Sequence, residues 1–426
     1  MERNDPRYQA YVEILKEELI PAMGCTEPIA LAYAAAKARE VLGVLPESVQ
    51  LQVSGSIIKN VKSVIVPNTG HLKGMEAAVA AGIIAGSAEK ELEVISEVSE
   101  EKKSAIRDYL QTVPITIEHT EQGHVFDIVV TERCGQDYAR VRIADYHTNI
   151  CRIEKNGTVL YEVPLLDETV QEDARADRSL LNMQDIWDFA ETADLRDVAD
   201  LLERQIRYNN AIAEEGLLGD YGANIGRVLL TTYGNDVSNR AKAKAAAGSD
   251  ARMNGCELPV IINSGSGNQG ITCSVPLIEY AKELHSGKEK LYRALIISNL
   301  VAIHEKTGIG TLSAYCGAVS AGAGAGAGIV YLCGDGYQAA IHTVVNALAI
   351  VSGIVCDGAK ASCAAKIASS VDAALLGYNM YKCNQEFKGG DGIVMKDIET
   401  TIKGIGRLGK DGMRQTNEEI IQLMMS

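Results

Sequence analysis

Residues 312–333 read LSAYCGAVSAGAGAGAGIVYLC and form the longest apolar stretch of the chain. The length is near that of a membrane span, but Gly, Ala and Ser dominate the stretch and a Gly-Asp-Gly turn follows at once. Gly322 and Gly326 share one face of the expected helix, where they let a neighbouring backbone approach closely. We therefore predict a buried helix inside a large helical bundle, and no membrane span.

The pattern on either side of this helix sets the fold class. Residues 292–305 and 339–355 are apolar nearly all round, as central helices of a bundle are. Before residue 165 the pattern is different, because Asn156-Gly157 predicts a tight β-hairpin between 151–153 and 158–160. Alternating strands are predicted at 49–54, 114–119, 125–131 and 139–143, with helices at 75–85 and 89–110. The sequence thus predicts an α+β N-terminal region and a mostly α-helical C-terminal domain.

A chain of 426 residues exceeds what one compact core usually holds, so we expect two domains. Residues 46–165 form the α+β domain and residues 166–426 an all-α domain. Residues 1–45 are two helices that we expect to pack on the helical domain. The active site is predicted at the interface between the domains, where ligand clefts commonly occur.

The charge and the ends of the chain limit the partners. A formal net charge of −15 argues against nucleic acid and anionic membranes, which basic patches bind. Met1 to Asp5 is charged and no apolar segment follows, so we expect no signal peptide and a cytoplasmic protein. Disulfides are then not expected, and the ten cysteines are free, metal-bound or catalytic. The expected partner is a small molecule, and the sequence leaves a homo-oligomer open.

Residues 265–270 read GSGNQG, which matches the G-x-G-x-x-G pattern of dinucleotide-binding loops. That function needs a βαβ unit, and no second parallel strand is predicted after the helix that follows. An ordinary glycine turn is one alternative. A loop that offers Ser266, Asn268, Gln269 and backbone N–H groups to a small carboxylate is the other.

The cysteines are spaced too widely for a zinc pair of the C-x2–4-C type or for a ferredoxin run. Cys356 and Cys363 flank a turn-forming segment, and Cys316 stands at the head of the Gly/Ala helix. Their pattern leaves both buried thiols and metal ligation open. Cys25 begins a helix, whose dipole favours the thiolate, so it is either a base or nucleophile or a thiol that only caps the helix.

Five ordered motifs together resemble the L-cysteine desulfidase family, which is related to the alpha subunit of the iron–sulfur L-serine dehydratases. The resemblance covers about residues 10–410. The motifs are Gly24-Cys25-Thr26-Glu27-Pro28, Ser54-Gly55-Ser56, the glycine loop 265–270, Ser313-Ala314-Tyr315-Cys316-Gly317 and the segment from Cys356-Asp357-Gly358-Ala359-Lys360 to Cys363.

The resemblance implies β-elimination on L-cysteine, giving pyruvate, ammonia and hydrogen sulfide. It also implies a [4Fe–4S] cluster that Cys316, Cys356 and Cys363 hold with one iron open, and it assigns the removal of the substrate α-proton to Cys25. Residues 1–45 should then pack on the helical domain, because Cys25 must lie near the cluster. From motif position and polarity, the candidates for binding the substrate's carboxylate and ammonium are Ser54, Ser56, Asn68, Thr69, Ser266, Asn268 and Gln269.

Three other functions remain open. An L-serine dehydratase would use the same cluster, although the loop at Ser54 lacks the Ser-Ser-Ser-His-Thr run of the true serine dehydratases. A non-catalytic iron–sulfur sensor of oxygen or iron would have no open iron. A pyridoxal-phosphate lyase could use Lys59, Lys306 or Lys360, but no phosphate-binding cup accompanies them and we expect no PLP. The other six cysteines are predicted to be mostly packing thiols.

Overall fold

The computed structural model describes residues 1–120, 124–165, 176–310 and 313–425. Helices make up most of the chain and a mixed sheet lies in its N-terminal region, which confirms the predicted fold class. The first five helices are α1 (Pro6–Glu18), α2 (Thr26–Leu42), α3 (Gly55–Val61), α4 (Gly74–Ala85) and α5 (Glu100–Thr112). The C-terminal helices are α6 (Met183–Thr192), α7 (Ala199–Leu218), α8 (Ile225–Tyr233), α9 (Val237–Met253), α10 (Gly267–Glu283), α11 (Lys288–Ile309), α12 (Gly317–Cys333), α13 (Tyr337–Val351), α14 (Ser362–Lys382), α15 (Ile398–Arg407) and α16 (Arg414–Met425).

Strands form a six-stranded sheet and a separate two-stranded one. The six-stranded sheet has the order β3-β2-β4-β5-β6-β7, in which β2 and β3 are parallel and the other pairs antiparallel. Helices α3, α4 and α5 make the crossover that a parallel pair needs. The strands are β1 (Pro21–Met23), β2 (Ser48–Ser54), β3 (Ile115–Thr120), β4 (Asp127–Cys134), β5 (Asp137–Ala144), β6 (Ile150–Lys155), β7 (Thr158–Glu162) and β8 (Pro259–Ile261).

The predicted hairpin is confirmed between β6 and β7. Asn156 and Gly157 have φ of +50° and +82°, so both adopt the left-handed conformation that a tight hairpin turn requires. The helix predicted at 89–110 is shorter than expected. Residues Ala88–Glu93 form a 3-10 turn and α5 starts only at Glu100, where Ser99 caps it by accepting from the Lys102 N–H.

The N-terminal residues pack only in part as predicted. Helix α2 lies on α4 and on strands β4 and β5 of the large sheet, rather than on the helical domain. Its alanine-rich surface allows this, since a Cβ on Gly82 would lie only 2.1 Å from the Ala32 carbonyl oxygen. Helix α1 contacts α11, and β1 pairs with β8 of the C-terminal region. The first segment thus joins both regions, and the division at residues 45 and 165 stays a prediction, with 166–175 outside the described residues.

Helix α12 lies inside the bundle, as the glycine pattern predicts, although Leu312 of that stretch is not among the described residues. A Cβ on Gly322 would lie 2.8 Å from backbone atoms of Ser370 in α14. On another face, a Cβ on Gly324 would lie 2.4 Å from the Ser298 carbonyl oxygen in α11. In the part of the chain that the structure describes, no helix is long and apolar enough to cross a bilayer.

A buried carboxyl in α9 gives a testable dependence of stability on pH. Asp250 is fully buried, and its Oδ2 accepts from the Ile225 N–H at 2.7 Å while Oδ1 has no partner. Burial raises the pKa of Asp250 to about 6. The folded state therefore holds this proton more tightly than the unfolded chain, whose Asp pKa is about 3.9. The protonated Asp250 carboxyl therefore stabilises the fold fully below about pH 3.9, and this contribution is lost as the pH rises from there through about 6.

We expect Asp250→Asn to raise the thermal midpoint by a few degrees at pH 8 and to leave it nearly unchanged at pH 4. The amide oxygen still accepts from the Ile225 N–H, and no buried charge forms. The control is Asp236→Asn, which alters the exposed N-cap of the same helix with a residue that also caps well. Thermal unfolding followed by circular dichroism measures both, and an equal gain at the two pH values would contradict this explanation.

Candidate active site

Cys25 is the N-cap residue of α2, as predicted, but its thiol does not bind the helix backbone. The side chain is buried, and Sγ donates to Glu27 Oε2 at 3.1 Å. Burial raises the pKa of Cys25 well above its usual value, and the Glu27 carboxylate adds to this, while Arg252 opposes it. The prediction that the helix dipole makes Cys25 a thiolate is therefore wrong, because desolvation and a carboxylate outweigh the dipole. The resting group is a thiol bound to a carboxylate.

Glu27 is the centre of a buried hydrogen-bond network. Its Oε2 also accepts from Thr26 Oγ1 at 3.1 Å, and its Oε1 accepts from Asn60 Nδ2 at 3.2 Å. Nε2 of His147 lies 4.0 Å from Oε1. Burial alone would raise the pKa of Glu27, but His147 and the Cys25 thiol hold it at about 2. Glu27 is thus an ionised acceptor beside the thiol.

His147 reaches this network from the loop between β5 and β6. Its ring packs edge-on against Phe126, with centroids 4.7 Å apart, which fixes the orientation of the imidazole. Its buried Nε2 has no hydrogen-bond partner. On its other side lies the glycine loop, since a Cβ on Gly265 would be 3.2 Å from His147 Cε1. The sheet region therefore supplies an imidazole to a site that the helical region completes.

The glycine loop packs directly on the start of α2. Thr26 Oγ1 lies 3.0 Å from the Gly265 carbonyl oxygen, and this oxygen shares the one hydroxyl proton of Thr26 with Glu27 Oε2. Ser264 and Gly265 have φ of +48° and +74°, and Asn263 and Ser266 exchange backbone hydrogen bonds across the turn. The preceding strand, β8, pairs antiparallel with β1 in a two-stranded sheet. The loop therefore does not belong to a βαβ unit, and the dinucleotide alternative is ruled out on fold grounds.

Two of the predicted loop residues face further groups of the site. The Asn268 side-chain oxygen accepts from Arg252 Nη1 at 3.1 Å. Gln269 is buried, and a Cβ on Gly317 would lie 2.6 Å from its Cδ. Gly317 follows Cys316 in sequence, so the loop connects the Cys25 network with the first of the three predicted ligand cysteines. Ser266 is the N-cap residue of α10, and its hydroxyl makes no capping bond.

Residues predicted on the α+β domain are held by the backbone of their own region. Ser54 Oγ donates to the Val125 carbonyl at 2.7 Å, and Thr69 Oγ1 donates to the Val66 carbonyl at 2.7 Å. The Asn68 amide donates to the Ile95 carbonyl at 2.8 Å. These three side chains stabilise loops of the α+β region. Ser56 lies buried within α3.

The three predicted ligand cysteines lie in one neighbourhood. Cys316, the N-cap residue of α12, donates its N–H to the Ile354 carbonyl at 3.1 Å, and the Cys356 N–H donates to the Ala314 carbonyl at 2.6 Å. Burial and the charge of Cys356 raise the pKa of Cys316 to about 12. Burial also raises the pKa of Cys363, at the start of α14, and Cys356 contributes again. Without iron, Cys316 and Cys363 are therefore protonated, so loading a metal must release protons.

Two lysines border these thiols. Lys59 is buried, and its Nζ donates to the Cys356 carbonyl oxygen at 3.3 Å and to Asn417 Oδ1 at 2.6 Å. Burial lowers the pKa of Lys59. Burial also lowers the pKa of Lys306 to about 8, although Cys356 and Cys316 partly oppose it. These cations suit an anionic cluster next to them.

Cys316, Cys356 and Cys363 are the residues that would hold an iron–sulfur cluster. Among the described residues, no three Cys, His, Asp or Glu side chains converge as the ligands of a single ion do. A cubane binds each thiolate at a different iron, so its ligand sulfurs stand apart. The three thiols are the soft donors that such clusters prefer, and the two lysines beside them suit a cluster's negative charge. The donor types present therefore fit an iron–sulfur cluster.

Sequence reasoning missed four members of the site. Glu27 stands within the motif at residues 24–28 without a predicted role, and Asn60, His147 and Arg252 belong to no motif. A weak signal existed for Arg252, because it ends an alanine-rich helix shortly before the glycine loop. The six remaining cysteines also differ from prediction in part, since Cys333 and Cys383 are exposed rather than packed.

Comparison with known proteins identifies the family. The model of the serine dehydratase alpha chain matches residues 89–422. A UPF0597 protein of Desulfitobacterium hafniense is 61% identical over 100% of this chain and 99% of its own length. Similar proteins of the same name occur in Lachnoclostridium phytofermentans, at 52% identity over 98% of this chain and 100% of its own length, and in Fusobacterium nucleatum, at 44% over 99% of each. The chain therefore belongs to the serine dehydratase alpha-chain family, a family of lyases.

Proposed function

We propose that this protein is an iron–sulfur lyase that eliminates hydrogen sulfide from L-cysteine and yields pyruvate and ammonia. The observation that carries the proposal is the buried Cys25 thiol bound to an ionised Glu27, next to a loop that leads to Cys316. These contacts support a site in which a proton acceptor on α2 works beside soft metal ligands of the helical region.

Cys316, Cys356 and Cys363 are the residues that would hold a [4Fe–4S] cluster. When bound, a cluster with one iron free of protein ligands supplies a Lewis acid suited to the soft sulfur of the substrate. The protein's own contribution is to shield this place from water. Cys316 is buried, and α3 covers the segment after Cys356 so tightly that a Cβ on Gly358 would lie 2.1 Å from the Lys59 carbonyl oxygen.

The proton path uses Cys25 and Glu27. Sγ takes the α-proton of the substrate while the thiol's own proton moves to Glu27 Oε2, 3.1 Å away. The electrons of the Cα–H bond form the Cα=Cβ double bond, and the Cβ–S bond breaks with its electron pair on sulfur. The resulting aminoacrylate tautomerises and takes up water, giving pyruvate and ammonia. The proton on Glu27 is then available to the departing sulfide.

Thr26, Asn60 and His147 keep Glu27 ionised before the reaction, so its Oε2 is able to accept the thiol proton. The low pKa of Glu27 then favours passing that proton on to the departing sulfide. General-base assistance of this kind contributes about 10²–10⁴-fold in rate.

The test is sulfide and pyruvate release from L-cysteine and from L-serine by anaerobically purified protein. We expect both products in equal amounts from L-cysteine, with a higher kcat/KM than for L-serine. Pyruvate from L-serine with no sulfide from L-cysteine would overturn the substrate assignment. A protein that holds iron but turns over neither compound would instead support the non-catalytic sensor.

L-Serine dehydration is the second candidate function, and the match to the serine dehydratase alpha chain is the observation that favours it. The same proton path would serve, with water leaving in place of sulfide. Two observations argue against it. The loop at Ser54 lacks the Ser-Ser-Ser-His-Thr run of the true serine dehydratases, and the Ser54 hydroxyl donates to the Val125 carbonyl oxygen.

A further inference from the structure

Three buried polar atoms without a hydrogen-bond partner surround the glycine loop. They are Arg252 Nε, Gln269 Oε1 and His147 Nε2. Buried polar groups in native proteins nearly always have partners, so orphaned ones need an explanation. Three of them around one loop, of both donor and acceptor type, indicate the place of a polar ligand.

Arg252 is the most costly of the three to leave unpaired. It is 2% exposed, and its Nη1 donates to the neutral Asn268 amide oxygen. Among the described residues, no carboxylate forms an ion pair with it. Burying a guanidinium without a counter-ion is strongly unfavourable, and a carboxylate with its two oxygens is the anion that its planar fork matches.

Gly267 packs directly against this guanidinium. A Cβ on Gly267 would lie 2.3 Å from Arg252 Nε and 2.6 Å from Val260 Cγ2, so only glycine fits here without displacing the guanidinium. Arg252 is also close enough to Cys25 for its charge to lower the thiol pKa against the effect of burial. The guanidinium is therefore a neighbour of the thiol at the start of α2.

Gln269 complements this arrangement. It is 5% exposed, and its orphaned Oε1 is an acceptor, which repels a carboxylate but accepts from an ammonium group. It lies in the first turn of α10, two residues after Gly267, and borders Gly317, which follows Cys316. An unpaired donor on Arg252 and an unpaired acceptor on Gln269 match the two charges of an amino-acid zwitterion.

We propose that Arg252 binds the α-carboxylate of the substrate and that Gln269 Oε1 accepts from its ammonium group. This assignment rests on the proposed function for the identity of the amino acid. It makes Arg252 the residue that selects α-amino acids over amines, and it gives Gly267 the role of letting the guanidinium keep its position.

The test compares ligands that differ only in the carboxylate. Anaerobically purified full-length protein is titrated calorimetrically with L-cysteine and with cysteamine, which lacks the carboxylate, and with L-alanine as a non-reacting amino acid. For Arg252→Gln we expect L-cysteine and L-alanine to bind about 10- to 100-fold more weakly, the value of a charge-assisted pair, with cysteamine unchanged. Gly267→Ala should show the same selective loss, because its Cβ displaces the guanidinium.

Arg39→Gln is the matched control. Arg39 also has a buried Nε without a partner, but it lies on the far part of α2, where it donates to the Gly86 carbonyl. We expect Arg39→Gln to bind L-cysteine, L-alanine and cysteamine as tightly as the parent protein does. Circular dichroism spectra confirm that each variant is folded, and Arg252→Lys, which keeps the charge, should lose less affinity than Arg252→Gln.

The outcomes separate this inference from the proposed function. Equal weakening of L-cysteine and cysteamine in Arg252→Gln, or undiminished binding of L-alanine, overturns the role of Arg252 even if L-cysteine is turned over normally. Arg252-dependent binding of L-alanine in a protein that releases no sulfide supports the carboxylate site and refutes the cysteine lyase.

Discussion

Replacing Cys356 by serine is expected to remove the iron and all turnover. The Cys356 segment is bound to the Cys316 segment by backbone hydrogen bonds, and Cys356 interacts electrostatically with both other thiols. A serine hydroxyl is a hard ligand with a much higher pKa than a thiol, and it replaces a thiolate poorly at iron. We expect about four irons per chain in the parent protein, as for one cubane cluster.

The measurement is iron content and visible absorption of anaerobically purified protein. Cys316→Ser and Cys363→Ser should behave like Cys356→Ser. Cys273→Ser is the matched control, because Cys273 is also fully buried in the helical region but its Sγ faces the Ala321 carbonyl at 4.0 Å. It should keep the iron. If one of the three variants retains the full absorption, the cysteine replaced in that variant is not a ligand.

Cys25→Ser is expected to keep the iron and the fold but to lose about 10²–10⁴-fold in kcat, the usual contribution of a general base. The hydroxyl is nearly isosteric with the thiol and can still donate to Glu27. However, it is a far weaker acid than a thiol, so Glu27 cannot draw off its proton as the α-proton arrives. The readout is sulfide and pyruvate release, with iron content measured on the same samples.

Glu27→Gln tests the same proton path by removing the carboxylate that takes up the Cys25 thiol proton. The amide keeps an acceptor for the Cys25 thiol but cannot take a proton, so we expect a similar loss of kcat. The double variant should be little slower than either single one, because both changes break one path. Multiplicative losses would show that the two residues act independently. Loss of iron in Cys25→Ser would instead make Cys25 a ligand and require a different mechanism.

His304 is a poor substitute base if Cys25 fails this test. Its Nε2 is bound to Glu399 Oε2 at 2.8 Å, which directs the ring toward α15. Lys306, on the same helix, borders Cys356 and Cys316 and has a pKa lowered to about 8. Lys306 is therefore the next residue to replace.

The sequence by itself determined the features whose signals are local. The Asn156-Gly157 turn predicted its hairpin because both residues tolerate positive φ, and the glycines of α12 predicted close helix contacts because spacing along a helix defines its faces. The positions of Cys25 and of the glycine loop followed from short motifs in the same way. These properties depend on neighbours in the chain, and the sequence contains those neighbours.

Tertiary structure alone decided the electrostatics of the site. Glu27 meets His147, and Thr26 meets Gly265, across long stretches of chain, and no local pattern links these pairs. No local pattern predicts the contact of Arg252 with the glycine loop or that of α2 with the large sheet either. The protonation state of Cys25 shows the physical reason. The helix dipole is readable from sequence and favours a thiolate, but burial and the Glu27 carboxylate outweigh it, and both depend on distances that only the folded chain sets.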